Sequence, residues 1–285
     1  HPLRLSLVGS EMCIRDSIQT SLVSNNSKIK KRFCPLCNKS FNNNILRYES
    51  KPWKLVKCEC SFVYMPEVPI YERMKKEFSW ERNFSDEEVI STKKRVRRYI
   101  KGLLKRDKLK SLLYRFCNEG EILDIGCGSG AKFNNISNKF IPYGIDISEE
   151  SAKEANEVFK KRGGEAVCAP STEVLDRFGE NKFSGAILRA YLEHEHDPFE
   201  VLKNLKYTLK NDAFAIIKVP NYGSINRRVR GNKWCGFRFP DHVNQFTPKT
   251  LLTMVSNANY DVVKFNFFDY LPTSDNMWMV IKPKS

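Results

Sequence analysis

An apolar run, Glu121-Ile122-Leu123-Asp124-Ile125, leads directly into Gly126-Cys127-Gly128-Ser129-Gly130. A strand that ends in three alternating glycines has given up side chains where the backbone must turn sharply and approach a ligand closely. In a parallel sheet that place is the carboxyl edge, so the motif constrains both the fold class and the edge that carries the site. The pattern after Gly120 agrees. Strand-like runs at 121–125, 140–146, 165–168, 184–189, 213–219, 262–268 and 277–282 alternate with helical periodicity at 132–137, 149–161, 172–178, 199–209 and 248–258. The alternation predicts an α/β domain over residues 119–285, a doubly wound Rossmann-like sheet of seven strands.

Glycine loops after a first strand also serve dinucleotide enzymes, but the spacing here is different. The pattern is D-x-G-x-G-x-G, with Asp124 two residues before the first glycine and the third glycine one step earlier than the dinucleotide fingerprint wants. A second acid, Asp146 in Tyr143-Gly144-Ile145-Asp146-Ile147-Ser148, closes the second strand, where a carboxylate can accept both hydroxyls of a ribose. With these two features together the sequence resembles the class I S-adenosylmethionine-dependent methyltransferases. Leu188-Arg189-Ala190-Tyr191-Leu192-Glu193-His194 followed by Asp197-Pro198 looks like that family's segment after strand four, and Val219-Pro220-Asn221 with Ser224 looks like its turn after strand five. The stretch Trp234 to His242, with Gln245-Phe246-Thr247-Pro248, resembles the substrate-side insertion of a bacterial subgroup in which a cysteine ribbon often precedes the methyltransferase domain.

The resemblance implies that Gly126, Gly128 and Gly130 pass the methionine part of S-adenosylmethionine, that Asp124 fixes the loop, that Asp146 holds the ribose and that Ile147 borders the adenine. Arg189, ending the fourth strand, joins this cofactor-binding set. Cys168-Ala169-Pro170-Ser171-Thr172 departs from the small residue and acid usual after strand three. Apart from His1, the histidines are His194, His196 and His242, all in the two segments expected at the pocket. Removing a proton from an alcohol or phenol suits imidazole near neutral pH, which makes His194 or His242 the candidate catalytic base. Glu193, Glu195, His196 and His242 also offer donors for a divalent metal, without a spacing that compels one. Trp234, Phe237, Phe239 and Tyr222 can wall an acceptor pocket or pack as ordinary core.

Upstream, Cys34-Pro35-Leu36-Cys37 and Cys58-Glu59-Cys60 form two close pairs about twenty residues apart. Cys34, Cys37, Cys58 and Cys60 thus have the arrangement of a zinc-ribbon-like segment over residues 33–66, with structural Zn as the expected ion and buried free thiols as the alternative. Cys117, Cys127, Cys168 and Cys235 read as buried thiols. Residues 1–32 read as a disordered leader, of which the first seventeen look like translated sequencing adapter.

Residues 67–118 read as a helical linker containing a basic amphipathic helix. Between Lys93 and Lys110 lie ten Lys/Arg and one Asp, so most of the chain's +15 net charge is local. Such a helix suits anionic lipid, RNA or an acidic partner, or simply a solvated face. No run approaches the roughly 20 apolar residues of a membrane span, and with no secretory signal the expected location is cytoplasmic. The expected partner is a small-molecule, glycan or lipid-linked acceptor, with peripheral membrane contact compatible. RNA methylation and a non-catalytic binding module are the rivals; an Asn/Asp-Pro-Pro-aromatic motif, which many enzymes acting on base amines carry, is missing after strand four.

Overall fold

The computed structural model describes residues 29–40, 45–73 and 107–284. Residues 1–28 of the expected leader and the basic stretch 93–106 lie outside the described residues, whereas 29–32, expected in the same leader, are ordered: Ile29–Lys31 is a strand paired with Glu67–Pro69 and Arg32 is buried.

Seven strands form the main sheet: β6 (Gly120–Ile125), β7 (Phe140–Asp146), β8 (Glu165–Cys168), β9 (Phe183–Arg189), β10 (Leu209–Pro220), β12 (Tyr260–Lys264) and β13 (Asn276–Pro283). Their order is β12-β13-β10-β9-β6-β7-β8. The pairs from β10 through β9, β6 and β7 to β8 are parallel, while β13 runs antiparallel to both β10 and β12. Central strands read as continuous aliphatic runs because both faces are covered: Ile122, Leu123, Ile125, Ile187, Leu188, Ile216 and Ile217 are fully buried. The order reverses between β6 and β9, and in sheets of this kind ligands bind at the carboxyl edge of that switch point.

Several helices begin where a side chain satisfies their first amides. Asp107 caps α1 (Lys108–Phe116), Ser148 caps α2 (Glu149–Lys160), and Thr247 forms a reciprocal capping box with Thr250 at α6 (Pro248–Asn257). Helices α3 (Val174–Phe178), α4 (Pro198–Thr208) and the short α5 (Ile225–Arg230) lie between them along the chain. Leu109, Leu112 and Leu113 of α1 are buried in one cluster with Ile122, Phe140 and Ile216, as their three- and four-residue steps require.

Two expected elements change. The stretch 132–137 is a short 3-10 turn, Ala131–Asn135. The sixth strand lies at Tyr260–Lys264, earlier than 262–268, because Asn266 caps a 3-10 turn at Phe267–Asp269 and diverts the backbone from the sheet.

The N-terminal segment builds a second, four-stranded sheet of order β11-β4-β3-β2. Three of its strands are local: β2 (Ile45–Ser50), β3 (Trp53–Lys57) and β4 (Val63–Tyr64). The fourth, β11 (Asn244–Gln245), comes from the insertion after β10 and pairs with β4. A two-stranded pair of β1 (Ile29–Lys31) and β5 (Glu67–Pro69) flanks it. Cys34, Cys58, Phe62 and Tyr64 share one hydrophobic cluster with Leu188, Leu192 and Phe246 of the large domain.

Candidate functional site

The glycine loop after β6 takes the left-handed conformation at all three glycines, with φ of 68° at Gly126, 54° at Gly128 and 72° at Gly130. Gly126 is pressed against the Tyr191 ring, only 2.5 Å from where a Cβ would stand, whereas a Cβ on Gly128 would meet no protein atom within 4 Å. Gly128 therefore faces open space, where the backbone can lie against a ligand. Its amide donates to Asp146 Oδ2 at 2.9 Å, and the Ser148 amide donates to Asp146 Oδ1 at 2.9 Å. The Asp146 carboxylate thus joins the ends of β6 and β7, and Ile147 follows it, half-buried.

Asp124 is completely buried, and Lys132 Nζ donates to its Oδ1 at 2.8 Å and to the Gly126 carbonyl at 3.2 Å. Burial pushes the Asp124 carboxyl up to about 6 against the pull of Lys132. Its Oδ2 is buried with no hydrogen-bond partner among the described residues. Arg189, exposed at the end of β9, adds positive potential toward Asp124. The expected cofactor residues thus sit together at one edge of the sheet. Sequence reasoning missed Lys132, although it is the first cation after the glycine loop.

The segment after β9 is braced from several sides. Tyr71, beyond the ribbon, and Tyr191 both donate to Glu195, which also accepts from the Asp197 amide at 3.0 Å. Asn244 of β11 donates through Nδ2 to the carbonyls of Leu192 at 2.8 Å and Glu195 at 2.6 Å, and its amide donates to the Glu193 carbonyl at 3.0 Å. Arg32 donates in turn to Asn244 Oδ1. His196 stacks on Tyr71 with ring centroids 4.3 Å apart, and burial holds its pKa well below the usual histidine range. It serves this brace and lies apart from the other two histidines in its contacts.

His194 and His242 come together, their rings edge to face with centroids 4.6 Å apart. His194 Nδ1 lies 2.8 Å from Asp241 Oδ1, and His242 Nδ1 lies 2.9 Å from the Gly236 carbonyl. Both contacts fix Nδ1 as the protonated nitrogen. Burial disfavours the His194 cation, but the bonded Asp241 carboxylate and Glu193 outweigh it and raise its pKa. His242 goes the other way, lowered to about 3 by burial and by the neighbouring His194. Burial raises the Glu193 carboxyl beside them. Glu193, His194 and His242 each offer one ligand atom within 4.8 Å of the others, a donor set that differs from the one read in the sequence by containing His194 in place of Glu195 and His196. Asp241, adjacent to His242 in sequence, is the second residue that sequence reasoning missed.

In the ribbon, Cys34 and Cys60 Sγ are 3.6 Å apart, Cys37 and Cys58 Sγ 3.4 Å, and all four sulfurs lie within 4.8 Å of one another. Thiolates around a tetrahedral Zn²⁺ at about 2.3 Å stand about 3.8 Å apart, so the set fits one zinc ion. Of the remaining thiols expected to be buried, Cys127 is buried, but Cys117 is half-buried at the end of α1, Cys168 is exposed at the end of β8 and Cys235 is exposed in a surface turn.

Tyr48, Phe237 and Phe239, with Ser50 and Asn232, line a cavity of about 320 Å³ between the ribbon sheet and the insertion. A cleft of about 550 Å³ shares Tyr48 and adds Tyr222, Lys57, Arg227 and Lys249. Of the expected aromatic wall, Tyr222, Phe237 and Phe239 face these cavities, whereas Trp234 is buried behind them and donates to Asp275 Oδ1 at 2.7 Å.

A family described as a methyltransferase domain matches residues 93–264 by sequence. No curated protein matches the chain. A solved protein of Pyrococcus horikoshii is 18% identical and superposes with a TM-score of 0.52, covering 72% of this chain and 98% of its own. An S-adenosylmethionine-dependent methyltransferase of Clostridium acetobutylicum is 15% identical with a TM-score of 0.50, covering 68% of this chain and 99% of its own. At these identities the likeness is one of fold.

Proposed function

The chain belongs to the class I S-adenosylmethionine-dependent methyltransferases, and from that footing we propose that it methylates a hydroxyl oxygen on a small molecule or on a glycan or lipid-linked precursor. The observation that carries this reading is the His194–Asp241 pair set beside neutral His242.

The residues fit the cofactor. Gly128 leaves open space at the loop, and Asp124 keeps a buried carboxylate oxygen without a protein partner. Gly126, Gly128 and Gly130 would line the methionine portion, Asp124 and Arg189 would face its charged groups, and Asp146 and Ile147 would take the ribose and adenine. When bound, S-adenosylmethionine supplies a methyl carbon on a sulfonium, whose C–S electron pair leaves with S-adenosylhomocysteine. Asp241 holds Nδ1–H of His194, so Nε2 is the nitrogen that accepts the acceptor's hydroxyl proton as the oxygen attacks. His242, neutral and held by Gly236, keeps a second positive charge away from the pair. Tyr48, Tyr222, Phe237 and Phe239 suit a flat or sugar acceptor, and Lys57, Arg227 and Lys249 suit an anionic group on it. The four ribbon cysteines would hold a structural zinc that fixes the wall carrying Tyr48.

The test begins with calorimetric titration of S-adenosylmethionine into the zinc-loaded chain and into Asp146→Ala. Binding by the first and loss in the second establishes the cofactor site. Radiolabelled methyl transfer to a panel of hydroxylated acceptors follows. Activity should rise with pH through an apparent pKa above 6.5 and shift lower in Asp241→Asn, because the carboxylate raises the His194 pKa. A titration limb that does not move in Asp241→Asn removes His194 as the base.

A further inference from the structure

We infer that the carboxyl-edge rim of the domain, formed by α5 and the turn at Phe267–Asp269, docks on an anionic lipid bilayer. The two most exposed large apolar side chains among the described residues are Val229 at 79% and Phe268 at 76%, and both lie here with Phe267 and Ile225, also exposed. The segments are laced together: the Ile225 amide donates to the Pro272 carbonyl at 2.7 Å and Asn226 Nδ2 to the Thr273 carbonyl at 2.8 Å. Topology puts them on the same edge as the glycine loop. α5 follows the end of β10, and the turn leads into the start of β13, where Asn276 pairs with Pro220.

The exposed charged side chains of this rim are cations. Residues 225–240 contain five Lys/Arg and no Asp/Glu. Arg228, Arg230 and Lys233 are exposed. The acids nearby are already engaged: Asp269 is buried and paired with Lys108 at 3.0 Å and with Lys264, Asp275 accepts from Trp234, and Asp241 holds His194 and pairs with Arg238 at 3.4 Å, which takes Arg238 out of the free positive charge. Exposed apolar tips among the exposed cations Arg228, Arg230 and Lys233 match the boundary between acyl chains and anionic headgroups. A symmetric dimer through this face would set like charges against each other. RNA would find two stackable rings but no use for Ile225 and Val229. The inference does not depend on the methyl acceptor.

The full chain is sedimented with phosphatidylcholine vesicles, with and without one quarter phosphatidylglycerol, and run as Phe267→Ser/Phe268→Ser, Arg228→Glu/Arg230→Glu and Tyr207→Ser. Tyr207 is exposed at the opposite edge and serves as control. Binding to the anionic vesicles alone is expected. The arginine pair should weaken it on the order of 30-fold, taking each cation as about fivefold. The phenylalanine pair should weaken it roughly tenfold, and the control should leave it unchanged. S-adenosylmethionine titration of each variant shows that it is folded. Equal binding to both vesicle types, retention by both rim variants, or no binding overturns the inference. So does a rim-dependent dimer, or a rim-dependent complex with single-stranded RNA that excludes vesicles.

Discussion

Asn244→Ala is the most informative single change, because that side chain joins three parts of the molecule. It is 1% exposed, donates to the carbonyls of Leu192 and Glu195, and accepts from the buried Arg32 guanidinium, whose pKa burial already lowers to about 10. Truncation strands two buried carbonyls and one buried cation. At 1–3 kcal/mol for each unsatisfied group, and with neighbours adding less than fully, the loss is roughly 3–6 kcal/mol. For a chain of this size that lowers Tm by about 5–10 °C. Asn244→Leu with Arg32→Met should recover part of the loss, since removing both partners leaves fewer groups unpaired than removing one. Urea denaturation of the wild type, Asn244→Leu, Arg32→Met and the double variant measures the cycle, and calorimetry measures S-adenosylmethionine binding by whatever remains folded. A cost below about 1 kcal/mol, or no recovery in the double variant, would refute the reasoning, because the carbonyls and Arg32 would then have found other partners.

Three further outcomes follow from the geometry. Gly128→Ala should cost only about 1 kcal/mol for its left-handed backbone yet abolish cofactor binding; Gly126→Ala should destabilise more, since its new methyl meets the Tyr191 ring, and thermal melts with calorimetry separate the two effects. His242 stays neutral when folded, with its pKa lowered to about 3, so the unfolded chain takes up its proton first as pH falls. Asp124 and Glu193, both raised, pull in the opposite direction, so the readable quantity is the stability of the wild type minus that of His242→Gln. It should fall by roughly 1.4 kcal/mol per pH unit below about 6.5 and stay level above it. Stripping metal with a chelator should release one zinc per chain, read with a colorimetric chelator, and lower Tm, as should Cys37→Ser; a chain that carries no zinc and melts unchanged would sink the ribbon assignment.

The sheet was legible because its information is local. β6 with its glycines, β7 ending in Asp146 and the helices with apolar stripes carry their periods within a dozen residues. β12 went astray for a local reason of another kind. The aromatic run Phe265 to Phe268 has strand composition, but the Asn266 side chain offers the backbone a competing turn. What the sequence hid was pairing over distance. Lys132 needed only the knowledge that the loop folds back on Asp124, but Asp241 finds His194 across 47 positions and Tyr71 finds Glu195 across 124. No periodicity marks such partners. The cysteines were the exception, because four thiols of one chemistry announce a shared centre even when two pairs lie far apart.

The pairing of β11 with β4 also sets an order on the ribosome. β4 emerges early, together with both cysteine pairs, so thiolates can gather an ion while most of the chain is still unmade. Among the described residues its outer edge has no neighbour until residues 244–245 appear, and the Arg32 guanidinium waits for a hydrogen-bond acceptor 212 positions away. Through that interval the nascent ribbon presents an unpaired strand, the kind of edge that chaperones shield and that neighbouring chains can capture. A chain truncated before residue 244 would therefore lose solubility at its N-terminal sheet, far from the cut.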